Sequence, residues 1–123
     1  MTTAYWCVLI AGLLPYIAVT LAKAQPGFNN RAPRPWLEKQ TGWRCRAYWA
    51  HLNGFEAFPL FAAAVVIAHL AHAPQQRIDV LAGSFVALRV VYIALYLADM
   101  AGARSVIWAA AFGCVVGLFV ISS

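Results

Sequence analysis

Charged residues are scarce in this chain, since only 11% of its 123 residues are Asp, Glu, Lys or Arg. A soluble domain usually carries about a quarter charged residues, so this sequence cannot cover a water-exposed surface with charge. Hydrophobic residues instead make up 63% of the chain. Because one helical crossing of a bilayer takes roughly 20 apolar residues, four crossings would use most of the length. The composition therefore predicts an integral membrane protein without a separate soluble domain.

Cysteine is also rare, with three residues at positions 7, 45 and 114. An odd number without C-x-x-C spacing predicts neither a disulfide framework nor a zinc site. His69 and His72 lie three residues apart, but no further histidine or cysteine lies nearby in the sequence, so we predict no metal site. Residues 1–5 carry no positive side chain, and the apolar segment that follows is longer than a signal-peptide core, so we predict a retained helix.

Four long apolar segments divide the chain. We predict membrane spans at about residues 4–22, 43–70, 78–97 and 105–121, within a single domain of residues 1–123. The first connection, KAQPGFNNRAPRPWLEKQTG, holds three of the six prolines and is too polar to lie in lipid. The expected fold is therefore an all-α, integral membrane four-helix bundle.

Basic residues are concentrated in the first connection and at its edge. Six of them fall there: Lys23, Arg31, Arg34, Lys39, Arg44 and Arg46. A basic cluster beside a membrane span is the usual orientation signal, and it can attract anionic lipid headgroups. We therefore predict that the first and third connections face the cytoplasm. The net charge of +5 thus indicates topology and contact with membrane lipids, and we expect no nucleic-acid partner.

Polar residues inside membrane spans are costly, so they normally face the bundle interior and mark function. At about 100° per residue, one face of the second span carries Arg46, Trp49, Asn53 and Glu56. One face of the third span carries Phe85, Arg89, Tyr92, Tyr96 and Asp99. One interpretation is a buried Glu56–Arg89 ion pair that only locks the helices together. The tyrosines and the asparagine favour another, a polar pocket for a ligand that bears carboxylates.

Two motifs resemble a known family of membrane proteins. RAYWAHLNGFEAFPLF, residues 46–61, resembles the second-helix signature of the MAPEG family (membrane-associated proteins in eicosanoid and glutathione metabolism). Its A-H-L-N-x-x-E core is especially similar to the microsomal glutathione transferases. RVVYIALY, residues 89–96, is similar to the third-helix R-x-x-[YH]-x-x-x-Y of the same family. The resemblance covers essentially the whole chain, and it implies a homotrimer that holds glutathione between neighbouring subunits near the cytoplasmic side.

The resemblance also implies roles for individual residues. Positions of the family that contact glutathione are matched by Asn53, Glu56, Arg89, Tyr92 and Tyr96. His51 matches a position that approaches the ligand of the neighbouring subunit, which fits its direction on the opposite side of the second span. Trp49 stands where many catalytic members have an arginine, and Arg46, one turn earlier, could replace that arginine as a glutathione ligand. Arg104 is the candidate for the thiolate-stabilising arginine, and it is the predicted catalytic residue.

Two functions remain open at this stage. The first is that of a bacterial-type MAPEG enzyme in the inner membrane, a glutathione-dependent transferase or peroxidase that acts on lipophilic electrophiles or lipid hydroperoxides. Glutathione would be its co-substrate, and no metal is expected. The second is that of a non-catalytic, lipid-binding member, which Trp49 favours. Ala57, where some members have a tyrosine, is a further departure from the family pattern. A small multidrug exporter is a weaker third candidate. Such exporters also have four spans in a short chain, but they resemble one another in a glutamate within the first span, and the first span here contains no acidic residue.

Overall fold

A computed structural model describes residues 1–123, which form five helices joined by short connections. The helices are α1 (Thr3–Lys23), α2 (Pro33–Glu38), α3 (Gly42–Leu70), α4 (Gln75–Leu97) and α5 (Ala101–Ser122). Four of them, α1, α3, α4 and α5, are long and apolar enough to cross a membrane. The expected all-helical fold with four long apolar helices is confirmed, and it fits a multi-pass membrane protein.

The last two helices begin earlier than the spans predicted from the sequence. α4 starts at Gln75 directly after Pro74, whose carbonyl oxygen accepts the backbone N–H of Ile78. α5 starts at Ala101, so residues 98–100 alone separate it from α4. Arg104 consequently lies in the first turn of α5, where its N–H donates to the carbonyl oxygen of residue 100 at 2.9 Å. Its side chain is therefore positioned by a helix and not by a loop.

Asp99 does not share the face of α4 that its spacing predicts. α4 ends at Leu97, and Asp99 has a φ of 59°, in the left-handed region. Aspartate adopts this conformation more readily than most residues, because its short side chain can hydrogen-bond locally. Its side chain is exposed in the connection between α4 and α5. The polar face of α4 therefore ends at Tyr96.

The short helix α2 lies inside the first connection and was not predicted. Pro33 occupies its first turn, where the missing N–H of proline costs nothing because the first helical N–H groups have no partner in the helix. Leu37 is buried and packs with Val19 of α1 and Ala47 of α3. This apolar contact holds the first connection against the ends of α1 and α3.

Close contacts between α1 and α3 and between α3 and α4 organise the bundle. Pro15 lies inside α1 and faces Gly54 of α3 so closely that a Cβ atom at Gly54 would lie 2.6 Å from Pro15 Cγ. Two turns further along α3, the rings of Phe61 and Phe85 stack with their centroids 3.9 Å apart. α3 thus packs against both α1 and α4, and its polar face is turned toward α4.

Candidate functional site

Hydrogen bonds join the polar faces of α3 and α4 at two levels. Arg46 donates from Nε and Nη2 to the carbonyl oxygen of Leu97, at 3.3 and 3.1 Å. Deeper in the bundle, Nη2 of Arg89 donates to Oδ1 of Asn53 at 2.9 Å. The two faces, each of which the residue spacing predicts, therefore meet in the structure.

Arg46 caps the C-terminal end of α4. The last carbonyl groups of a helix carry partial negative charge and lack partners within the helix, so a guanidinium placed there is favourable. Arginine has five N–H donors, and the two bonds to Leu97 leave three of them for other acceptors. Arg46 is half-buried and so remains accessible to a ligand at this end of the site.

Arg89 is the buried cation at the centre of the site, with only 4% of its surface exposed. Its guanidinium carbon lies 4.2 Å from the ring centroid of Tyr92, a distance typical of cation–π contacts. Asn53, which accepts from Arg89, donates in turn from Nδ2 to Oε2 of Glu56 at 3.4 Å. The hydrogen bonds thus run from Arg89 to Glu56 through the amide of Asn53, which can accept and donate at once. The buried Glu56–Arg89 ion pair is not the arrangement found, because Glu56 is exposed on the single chain.

A stack of aromatic rings and cations extends this network to α5. The rings of Tyr92 and Tyr96 meet edge to face, with centroids 5.6 Å apart and planes at 83°. The guanidinium carbon of Arg104 lies 4.1 Å from the ring centroid of Tyr96, and the ring centroid of Trp49 lies 6.5 Å from that of Tyr96. The tertiary structure therefore brings Arg104 next to Tyr96 of α4, and the two tyrosine rings link it to Arg89.

His51 lies on a different face of α3, against α1. Its Nδ1 is 2.7 Å from the carbonyl oxygen of Pro15, which can only accept, so Nδ1 carries a hydrogen and donates. The ring of Phe55 meets the imidazole edge to face at 4.9 Å. The structure thus separates His51 from the other predicted site residues of its own chain, in agreement with the direction expected from its spacing.

A cavity of about 150 Å³ opens beside Arg89, between α3, α4 and α5. Its polar rim consists of Asn53, Glu56 and Arg89. Its apolar walls include Ala57, Leu60, Phe85, Trp108, Phe112 and Val115. A molecule in this apolar cleft would therefore have an apolar body against the walls and a polar end near the guanidinium.

The α5 walls of the apolar cleft were not predicted from the sequence. The rings of Trp108 and Phe112 stack with an interplanar angle of 3° and centroids 5.4 Å apart. Their four-residue separation is the helical spacing that places two side chains on one face, and this was the available signal. Which partner that face would meet depends on how α5 packs against α3, which spacing does not determine.

Comparison with protein families decides the affiliation of the chain. The sequence model of the MAPEG family matches residues 3–123, essentially the whole chain. The chain belongs to the MAPEG family. The resemblance seen in the two helical motifs is therefore confirmed, and it makes this a membrane protein of the glutathione and eicosanoid metabolism family. No curated protein and no solved structure gives a significant match.

Within this MAPEG chain, seven of the eight predicted site residues lie in one region. Asn53, Glu56, Arg89, Tyr92, Tyr96 and Arg104 form a chain of contacts, and Arg46 caps α4 at the same end as Tyr96. Two neighbours of this region are the residues at which the sequence departs from the resemblance. Trp49 presents an exposed ring near Tyr96, and Ala57 lines the apolar cleft together with Glu56.

Proposed function

We propose that this protein is a membrane-bound, glutathione-dependent transferase or peroxidase that acts on lipophilic electrophiles or lipid hydroperoxides. The observation that carries the proposal is the unbroken contact path from Asn53 through Arg89, Tyr92 and Tyr96 to Arg104. An apolar cleft opens beside this path. A polar thiol and an apolar acceptor could thus be held next to each other inside the bilayer.

The polar groups of the site suit the chemistry of glutathione. This tripeptide carries two carboxylates, one ammonium group and a thiol. Arg46 has three N–H donors left after its bonds to Leu97, and arginine binds carboxylates through paired N–H groups. Glu56 accepts only a 3.4 Å bond from Asn53, so its carboxylate has lone pairs left for an ammonium group. The tyrosine hydroxyls can fix the orientation of the peptide.

Arg104 is proposed to favour the ionised thiol. A thiol is a weak nucleophile until it loses its proton, and a neighbouring guanidinium stabilises the thiolate. In conjugation, the thiolate sulfur forms a bond to the electrophilic carbon, and the electron pair of the breaking bond departs with the leaving group. In peroxide reduction, two glutathione thiols are oxidised to one disulfide while the hydroperoxide is reduced to an alcohol and water.

We further propose that the protein works as a homotrimer in a bacterial inner membrane. Glu56 is exposed on the surface of the single chain although it lies in an apolar span, and a charge that faces lipid is costly. A second copy would cover it, and His51 would then approach the glutathione of the neighbouring subunit. The first connection, with its excess of basic residues, would face the cytoplasm, and the third connection would lie on the same side.

Thermal stabilisation by glutathione tests the proposal directly. We expect millimolar glutathione to raise the unfolding temperature of the detergent-solubilised protein, because a ligand that binds only the native state stabilises it. Conjugation to a nitroaryl halide, followed by absorbance, then reports turnover. Arg77→Ala is the matched control, since Arg77 is an exposed arginine outside the contact path. If glutathione neither shifts the unfolding temperature nor is consumed, the enzymatic proposal is wrong.

A non-catalytic, lipid-binding protein is the second candidate function. The observation that favours it is Trp49, which leaves 49% of its surface exposed near Tyr96 where many catalytic members carry an arginine. Tryptophan cannot offer the charged fork of donors with which arginine binds a carboxylate. This candidate predicts that a long-chain fatty acid stabilises the protein, whereas glutathione does not.

A further inference from the structure

The net charge of the chain is confined to one segment. Residues 23–46 contain six of the nine basic residues and one of the four acidic residues. Outside this segment, three basic and three acidic residues cancel, so the whole net charge of +5 belongs to it. The segment comprises the end of α1, the first connection and the beginning of α3. One end of the bundle is therefore strongly positive, and the rest of the chain is neutral.

Five of these six cations are not engaged with the site. Arg46 bonds to α4, and the other five, here called the basic collar, are Lys23, Arg31, Arg34, Lys39 and Arg44. Arg31, Arg34 and Lys39 are exposed. The two half-buried members lie over aromatic rings, Lys23 at 5.5 Å from the centroid of Phe28 and Arg44 at 4.5 Å from that of Trp43. The basic collar thus presents its charge to the surroundings.

The fold holds the basic collar at a defined level along the long axis of the helix bundle. Leu37 of α2 is buried among residues from α1 and α3, which fixes the first connection to the end of the bundle. Nε1 of Trp36 donates to the carbonyl oxygen of Gly27 at 3.0 Å, and its ring packs edge to face on Phe28. Tryptophans beside the ends of membrane spans sit at the level of the lipid headgroups. The collar therefore lies where phosphate groups of the bilayer are found.

Arg44 has a donor that the chain itself does not satisfy. Its Nε atom is buried and has no hydrogen-bond partner in the protein. That atom is covered by protein, whereas the terminal Nη groups of the same guanidinium make no hydrogen bond within the protein and can donate to anionic oxygens. A headgroup phosphate carries such oxygens at the height of the collar. This observation is independent of the count of charges.

We propose that the basic collar binds the headgroups of anionic phospholipids in the leaflet on its side of the membrane. Positive side chains near the surface of an anionic leaflet are attracted over about one Debye length, and arginines also pair with phosphate through two N–H groups. The lone acid of the segment, Glu38, offsets little of this attraction. The inference concerns lipid recognition, and it does not depend on the thiol chemistry proposed above.

Retention of lipids by the purified full-length protein tests the inference. The protein is reconstituted in bilayers of equal parts phosphatidylglycerol and phosphatidylcholine, extracted in mild detergent, and its retained lipids are quantified by mass spectrometry. We expect phosphatidylglycerol to be retained in excess of phosphatidylcholine. Equal retention of the two lipids by the wild-type protein would overturn the proposal.

Substitution of the exposed collar residues makes the test specific. The combined change Arg31→Gln, Arg34→Gln and Lys39→Gln should lower the retention ratio toward one, by up to about fivefold for each cation removed. Arg77→Gln removes an exposed arginine outside the collar and should leave the ratio unchanged. The three single variants should give graded losses, so the test survives if the combined variant fails to fold. An unchanged ratio in the singles contradicts the assignment.

A competition arm separates lipid from a free anion. Inorganic phosphate is added at constant ionic strength during extraction, with chloride as the matched salt. Continued retention of phosphatidylglycerol supports a headgroup site, because a lipid is held by its acyl chains as well as by its phosphate, whereas a free anion has only its charge. Displacement of the lipid by phosphate, but not by chloride, would show a site for a free anion and overturn the lipid assignment.

Discussion

The contact between Pro15 and Gly54 gives the sharpest test of how α1 and α3 pack. Gly54→Ala adds a methyl group 2.6 Å from Cγ of Pro15 and 3.6 Å from its Cα. The distance to Cα is an ordinary contact, but the proline ring is rigid and joined to the backbone, so Cγ cannot rotate away. The helices must therefore separate locally, and His51, which donates to the carbonyl of Pro15, must follow or lose that bond.

The expected magnitude follows from two opposing effects. Overpacking a tight contact costs about 1–3 kcal/mol. Replacing glycine by alanine inside a helix contributes about 1 kcal/mol in favour of folding, because alanine loses less backbone entropy. Gly54→Ala should thus lower the free energy of unfolding by about 0–2 kcal/mol. A glycine without close neighbours should show only the favourable effect.

Two such glycines serve as matched controls. A Cβ atom at Gly83 or Gly113 would meet nothing within 4 Å, and both residues lie inside long helices. Unfolding is followed by circular dichroism in mixed micelles with increasing dodecyl sulfate. We expect Gly54→Ala to be about 1–3 kcal/mol less stable than Gly83→Ala and Gly113→Ala. Equal stability of all three variants would refute the close α1–α3 contact.

Three further predictions concern the site. Asn53→Ala removes the acceptor of the buried Arg89 guanidinium, so the free energy of unfolding in the same micelles should fall by about 1–3 kcal/mol, and Asn53→Asp, which keeps an acceptor, should lose less. Arg104→Ala should abolish glutathione conjugation while the circular dichroism spectrum stays unchanged, and a normal rate would disprove the role of Arg104. Phe112→Ala removes a wall of the apolar cleft and should raise the KM for a lipophilic acceptor by about tenfold without changing that for glutathione; equal effects on both would argue against a separate acceptor cleft.

The positions of the polar faces could be predicted because helical geometry is local. A rotation of about 100° per residue places Arg46, Asn53 and Glu56 on one face of α3 whatever the helix packs against. The same rule places His51 on another face, and the structure has it bonded to α1. The prediction from spacing was wrong for Asp99, because α4 ends at Leu97 and the backbone of Asp99 has a positive φ.

The pairing of groups across helices could not be predicted from spacing. Sequence reasoning allowed an ion pair between Glu56 and Arg89, whereas the structure places Asn53 between them. A shift of one residue in how α3 and α4 lie against each other would change which side chain meets Arg89. That register depends on contacts such as the stacked rings of Phe61 and Phe85, which bring together residues distant in sequence.

The sequence by itself determined that this chain is a membrane protein of the MAPEG family with four spanning helices. Scarce charge, long apolar runs and two helical motifs can all be read from the order of the amino acids. Only the tertiary structure decided that Arg104 stacks on Tyr96 and that α5 closes an apolar cleft beside Arg89. The physical reason is that helix periodicity is fixed by backbone hydrogen bonds within a few residues. The neighbours of a helix face are fixed by packing among all the helices together.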